Sequence, residues 1–149
     1  MSWSPHVVVA CVVEREGRFL LVEERVNGQL LFNQPAGHWE QGETLIEGAV
    51  REGLEETGWD LEPTALLGLY HYDPADLEYG FLRIAFVARA LRHHPDRRLD
   101  DGIERAVWQT RDEIAALAAR HRSPMVLRCV DDYRAGRRYP LDLIAHLNP

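Results

Sequence analysis

Cysteine is scarce in this chain: Cys11 and Cys129 are the only two among 149 residues. Neither stands in a Cys-x-x-Cys pair or at a Cys/His ligand spacing, which argues against a disulfide framework and a zinc site. Both are expected as buried free thiols in a reducing compartment, Cys11 in an apolar strand-like run and Cys129 in a helix. Long apolar runs are also missing. No stretch approaches the roughly 20 residues that span a bilayer. The run Val7 to Val13 is short, lacks a basic start and reads as a strand, not a secretory leader. A cytoplasmic protein with no membrane partner is the expectation. Basic charge is short as well. A formal net charge of −7 argues against a long nucleic acid as partner. It leaves room for a small phosphate ester, because a bound metal can reverse the local field. No repeat, low-complexity tract or linker divides the chain. Its length and its 46% apolar fraction fit one soluble globular domain over residues 1–149.

The pattern along the chain places one helix among strands. His6 to Val13 is a β-branched run and Arg18 to Glu23 alternates; the polar Glu14 to Gly17 between them predicts a hairpin. Leu30 to Asn33 is a short extended piece. A helix is expected from about Thr44, an N-cap candidate with Glu47 three residues on, to Gly58, a C-terminal glycine. Leu66 to Tyr72 and Phe81 to Ala90 read as strands joined by the loop Asp73 to Gly80, and Glu104 to Gln109 as a shorter strand. Arg111 to His121 and Met125 to Ala135 read as helices. Strands around a central helix, with helices at the end, suggest an α/β fold with a mixed sheet between helices.

The most informative stretch is GHWEQGETLIEGAVREGLEETG, Gly37 to Gly58. At about 100° per residue, Glu52, Glu55 and Glu56 share one helix face, while Ile46, Val50, Gly53, Leu54 and Thr57 fall on the other side. An acidic helix face is ordinarily solvated surface. Two details point elsewhere. Arg51 is spaced to pair with Glu47 and Glu55, yet Glu52 and Glu56 have no basic residue three or four positions away. Pro35 to Gly42 also reads as a tight loop whose carbonyls could join carboxylates around a hard cation.

This segment resembles the Nudix box, Gly-x5-Glu-x7-Arg-Glu-U-x-Glu-Glu-x-Gly-U, with U a bulky apolar residue. Gly37, Glu43, Arg51, Glu52, Glu55, Glu56, Gly58 and Trp59 all fit; Gly53 departs, standing where the family has Ile, Leu or Val. That position is on the packed flank, and a neighbouring side chain is expected to fill the gap. PHVVVACVV, NQPAGH, RSP at Arg122 to Pro124 and RYPLD at Arg138 to Asp142 extend the likeness to the NudJ-type Nudix phosphatases over nearly the whole chain. The resemblance implies the Nudix α/β/α sandwich with a mixed central sheet, and a hydrolase of nucleoside tri- and diphosphates and of a hydroxymethylpyrimidine pyrophosphate of thiamine synthesis. Nudix rivals are pyrophosphohydrolases of ADP-ribose or nucleotide sugars, and a non-enzymatic ligand-sensing module.

Candidate site residues follow. Glu52, Glu55, Glu56 and the Gly37 carbonyl are expected to hold Mg²⁺, or Mn²⁺ in its place. Glu52 and Glu56 are assigned as ligands and Glu55 as ligand or base, the base in some Nudix members lying on a later loop. Glu43 and Arg51 are expected to pair and brace the loop against the helix. Glu104 could complete the metal site, though surface charge is the plainer reading, and Asp100 and Asp101 read as an ordinary polar turn. Trp39, Tyr70 and Tyr72 are candidates for stacking on a base, against plain packing. Arg83 could meet a phosphate or form a strand-edge salt bridge. His6, His38 and His71 form no recognisable ligand spacing; His38, beside Gly37, is the one to test. The expected partner is a small phosphorylated substrate, with the protein a monomer or homodimer.

Overall fold

The computed structural model describes residues 3–148. β1 (His6–Arg15) and β2 (Arg18–Val26) form the expected hairpin. Its two turn residues, Glu16 and Gly17, both have positive φ, 53° and 79°, the geometry that lets a two-residue turn follow the right-handed twist of its strands. Asn27 and Gly28 make a second such turn (φ 51° and 81°) into β3 (Gln29–Asn33). β4 (Ala36–His38) then pairs antiparallel with β1, Gly37 opposite Val9.

α1 (Leu45–Thr57) begins and ends where the sequence signals place it. The Thr44 hydroxyl accepts from the Glu47 amide at 3.0 Å and the Glu47 carboxylate accepts from the Thr44 amide at 2.8 Å, a reciprocal cap that satisfies two otherwise orphaned donors. Gly58 closes the helix in the left-handed region, φ 75°.

β5 runs from Trp59 to Tyr72, starting well before the expected Leu66. Its pairing with β6 (Phe81–His93) shifts register near Leu61, Pro63 and Leu66. A proline without an amide donor and repeated bulges disguise the alternation that would have marked the strand. β7 (Ile103–Thr110) pairs with β2. α2 (Arg111–Ala116) is shorter than expected: a 3₁₀ turn follows at Ala118–Arg120, and His121 forms a bridge with Phe32. α3 spans Met125–Arg134.

The seven strands form a mixed sheet in the order β3-β2-β1-β6-β5, with β4 joined to β1 and β7 to β2. Only the β1–β6 pair is parallel among those described. Alternate residues of β1 feed two cores. Val9, Cys11 and Val13 pack with Ala49 of α1 and Phe86. Val12, with Ala85 and Val87, packs with Val126, Cys129 and Val130 of α3. The sheet therefore lies between helices, the α/β/α sandwich the resemblance implied. Both cysteines are buried free thiols. No helix among the described residues is long and apolar enough to cross a membrane.

The gap at Gly53 is filled. A side chain there would run into Leu61 Cδ1 and Cγ, and Leu61 is itself core, only 3% exposed. Gly53→Leu is therefore expected to overpack the α1–β5 contact and destabilise the chain by roughly 1–3 kcal/mol. Thermal unfolding checks it: a melting temperature above that of the parent would show that the helix prefers the family's aliphatic residue.

Candidate active site

α1 does not divide into an apolar packed side and an acidic wet side. Glu52 and Glu56 are both buried, at 8% exposure, whereas Ile46, Val50 and Leu54 are only partly covered. β4 lies over the carboxylates. A Cβ on Gly37 would overlap the Glu52 carboxyl group, so a larger residue there would displace that carboxylate. The Glu56 carboxylate accepts from the Ala36 amide at 2.9 Å.

Burial is the leading influence on both acids. It raises the Glu52 carboxyl above its ordinary range; Arg51 pulls it back, while Glu55 and Asp100 push it further up. Glu56 is pushed up to about 9 by burial, against the Ala36 hydrogen bond and with the charges of Glu52, Glu24 and Asp100. Acids crowded and desolvated in this way favour a cation among them.

Asp100, expected in an ordinary polar turn, also belongs to this cluster. One carboxylate oxygen each from Glu52, Glu55 and Asp100 lie within 4.8 Å of one another. The Asp100 amide donates to the Glu55 carbonyl at 2.9 Å, tying the loop before β7 to the end of α1. Asp101, its neighbour, makes an exposed pair with Arg98. Glu56 is outside the three-residue group but lines the same cleft as Glu52. The donor set is all carboxylate oxygen, which suits a hard divalent ion.

Arg51 braces the arrangement more widely than helix spacing indicates. Its Nε donates to Glu43 Oε2 at 2.9 Å and its Nη2 to Glu43 Oε1 at 2.8 Å. Nη1 donates to Glu52 at 2.8 Å and to Glu55 at 3.3 Å, and Nη2 also reaches the His38 carbonyl at 3.1 Å. So Glu52 does have a basic partner, the adjacent residue. Glu47 is engaged in the helix cap instead.

The NUDIX domain family model matches residues 4–129. This chain belongs to the Nudix family. It is 42% identical over 146 residues to Phosphatase NudJ of Escherichia coli K12, covering 98% of this chain and 94% of that one. The solved NUDIX hydrolase from Nitrosomonas europaea superposes with a TM-score of 0.94 at 46% identity, covering 96% of this chain and 97% of that one. The NUDIX domain of Shewanella oneidensis NrtR, solved with ADP ribose, shares the fold alone: TM-score 0.68 and 15% identity, with 89% and 88% covered.

Glu52 and Glu56 of the Nudix box line a cleft of about 650 Å³, and the other expected binding residues divide around it. Tyr72 and Arg83 line it; Trp39 and Tyr70 do not. The Trp39 indole donates to the Glu43 carbonyl at 2.8 Å, holding the box loop. Tyr70 shares a sheet face with Tyr72 but lies farther along it, its hydroxyl bonded to Asp132 at 2.7 Å. The aromatics that do line the cleft include Tyr79 and Phe81. The residue pattern marks neither, for Tyr79 belongs to the β5–β6 loop and Phe81 reads as a strand residue. His38 is on the cleft lip, hydrogen-bonded to His6 at 3.0 Å, and burial lowers its proton affinity. Glu104 forms an exposed pair with Arg25 at 2.8 Å, and is surface charge. With the indole holding a loop, Trp39→Ala is expected to raise KM by less than about threefold, short of the loss of a base–aromatic stack at about 1–3 kcal/mol. A tenfold or greater rise in steady-state assays would restore Trp39 to the substrate.

Proposed function

We propose that this Nudix hydrolase is a divalent-cation-dependent phosphatase of small phosphoanhydrides, acting on nucleoside di- and triphosphates. The observation that carries the reading is the convergence of Glu52, Glu55 and Asp100, with Glu52 and its neighbour Glu56 also lining a nucleotide-sized cleft. These three carboxylates would hold Mg²⁺, or Mn²⁺, with Glu56 and the Gly37 carbonyl beside them. A bound ion would neutralise phosphate charge and favour ionisation of an attacking water. Glu55, partly exposed beside Glu52 and Asp100, would act either as a ligand or as the base that takes up the proton of that water. Arg51 holds Glu52 and Glu55 in place, and the rigid Gly37 strand fixes the other side of the carboxylates.

The near full-length likeness to Phosphatase NudJ favours a terminal phosphate over a diphosphate capped at both ends. Hydroxymethylpyrimidine pyrophosphate has the same terminal arrangement and belongs in the substrate panel. The test is product analysis with Mg²⁺, and with chelator as control. Nucleoside di- and triphosphates should release orthophosphate faster than ADP-ribose or a nucleotide sugar is cleaved. Faster cleavage of ADP-ribose would overturn the phosphatase reading, and no metal-dependent turnover of any of them would favour a ligand-sensing module.

A further inference from the structure

We propose that Arg83 is the floor of an anion subsite that binds phosphate without metal and holds the substrate phosphate next to the one attacked. The inference rests on reading the cleft as a hydrolase site. β6 is an interior strand, flanked by β1 and β5, so Arg83 makes no strand-edge salt bridge. Its side chain is buried, at 2% exposure, and it takes part in no ion pair among the described residues.

Its hydrogen-bond partners are neutral. Nη1 donates to Gln34 Oε1 at 2.7 Å and lies 3.7 Å from the Cys129 sulfur; Nη2 donates to Asn33 Oδ1 at 2.8 Å. Nε has no hydrogen-bond partner among the described residues. A buried guanidinium without a countercharge is costly, and its neighbours could be hydrogen-bonded without a full positive charge. The cost makes sense if the countercharge arrives with the substrate.

The surroundings fit an anion. Arg83 lines the same cleft as Glu52 and Glu56. Ser123 and Met125, at the start of the ten-residue α3, line it too, so the positive end of that helix adds to the field. Arg122 is also on the wall, but its charge is met by Glu24 at 2.7 Å. The cleft therefore has an acidic end suited to a cation and a cationic floor suited to phosphate. A diphosphate laid between them would place its reacting phosphate at the carboxylates and its neighbour over Arg83.

The probe is inorganic pyrophosphate, titrated calorimetrically into the metal-free protein in excess chelator. The parent should bind it. Arg83→Gln should weaken binding roughly tenfold or more, the scale of a lost charge-assisted hydrogen bond. Asn33→Asp supplies a second arm that keeps Arg83 and gives it a permanent carboxylate partner. It should weaken pyrophosphate by a similar factor while melting no lower than the parent, and parent-like affinity in Arg83→Gln would make the arginine purely structural. Absence of pyrophosphate binding by the parent, or parent-like affinity in Asn33→Asp, would overturn the subsite. Metal-dependent hydrolysis assayed on the same preparation separates the two readings: turnover without metal-free binding refutes this inference alone, and metal-free binding without turnover refutes the hydrolase.

Discussion

Glu52→Gln is expected to lose catalysis by a factor on the order of 10² to 10³, the scale of one strong electrostatic contribution to a transition state, while keeping the fold. Glu52 joins three parts of the site: it lies against Gly37, receives Arg51, and belongs with Glu55 and Asp100 to the compact oxygen cluster. Glutamine has nearly the same shape and can still accept from Arg51. It also relieves repulsion from Glu55 and Asp100, both of which push the Glu52 carboxyl up. The variant should therefore melt no lower than the parent without metal, and gain less stability from added Mg²⁺, since a ligand stabilises the folded state only as far as it binds. Glu56→Gln should lose activity on the order of 10²-fold, for the amide can still accept from Ala36 while the charge is gone. Activity of Glu52→Gln within tenfold of the parent at saturating Mg²⁺ would remove Glu52 from the metal site.

The box and the helix were legible because their signals are local. Thr44, Glu47 and Gly58 mark α1 through contacts within the helix itself, and the Glu43–Arg51 pair spans only one loop and two turns. Asp100 was not legible for the opposite reason. Its sequence neighbours do make a turn, and nothing in them shows that the turn is docked onto the last carbonyls of a helix more than forty residues earlier. Arg83 presented a related difficulty. An arginine in an apolar strand suggests an edge, but whether β6 is an edge depends on where β1 and β5 fall, and that is a property of the whole sheet. Trp39 shows the limit of residue type as a guide. An exposed indole in a catalytic loop suggests stacking, yet its single N–H is engaged in shaping that loop. Glu52 and Glu56 share a face as the periodicity indicates, and the strand laid over them, which no local pattern shows, buries that face.

Arg51→Met is expected to cost about 3 kcal/mol of stability, because removing one partner leaves largely covered carboxylates without their countercharge. For a chain of this size that is roughly ten degrees in melting temperature. Methionine keeps much of the stem's packing and deletes the fork that serves Glu43, Glu52 and Glu55 at once. The loss should depend on pH in a definite direction. Hydrogen bonding from Arg51 holds the Glu43 carboxyl below its ordinary range. That contribution is present above the unfolded-state pKa, about 4.3 for glutamate, and is lost as pH falls through the lower folded-state value. Glu52 has the opposite sign: its pKa is raised by burial despite Arg51, so ionising it as pH climbs above the unfolded value costs stability, more so when Arg51 is gone. Both effects widen the gap between parent and variant from acid towards neutral pH. Melting curves at pH 3.5 and pH 7 without metal should therefore show a small difference at the first and a large one at the second. An equal gap at both would mean that Arg51 stabilises the chain through packing and its bond to the His38 carbonyl, and that the carboxylates of the Nudix box find their balance without it.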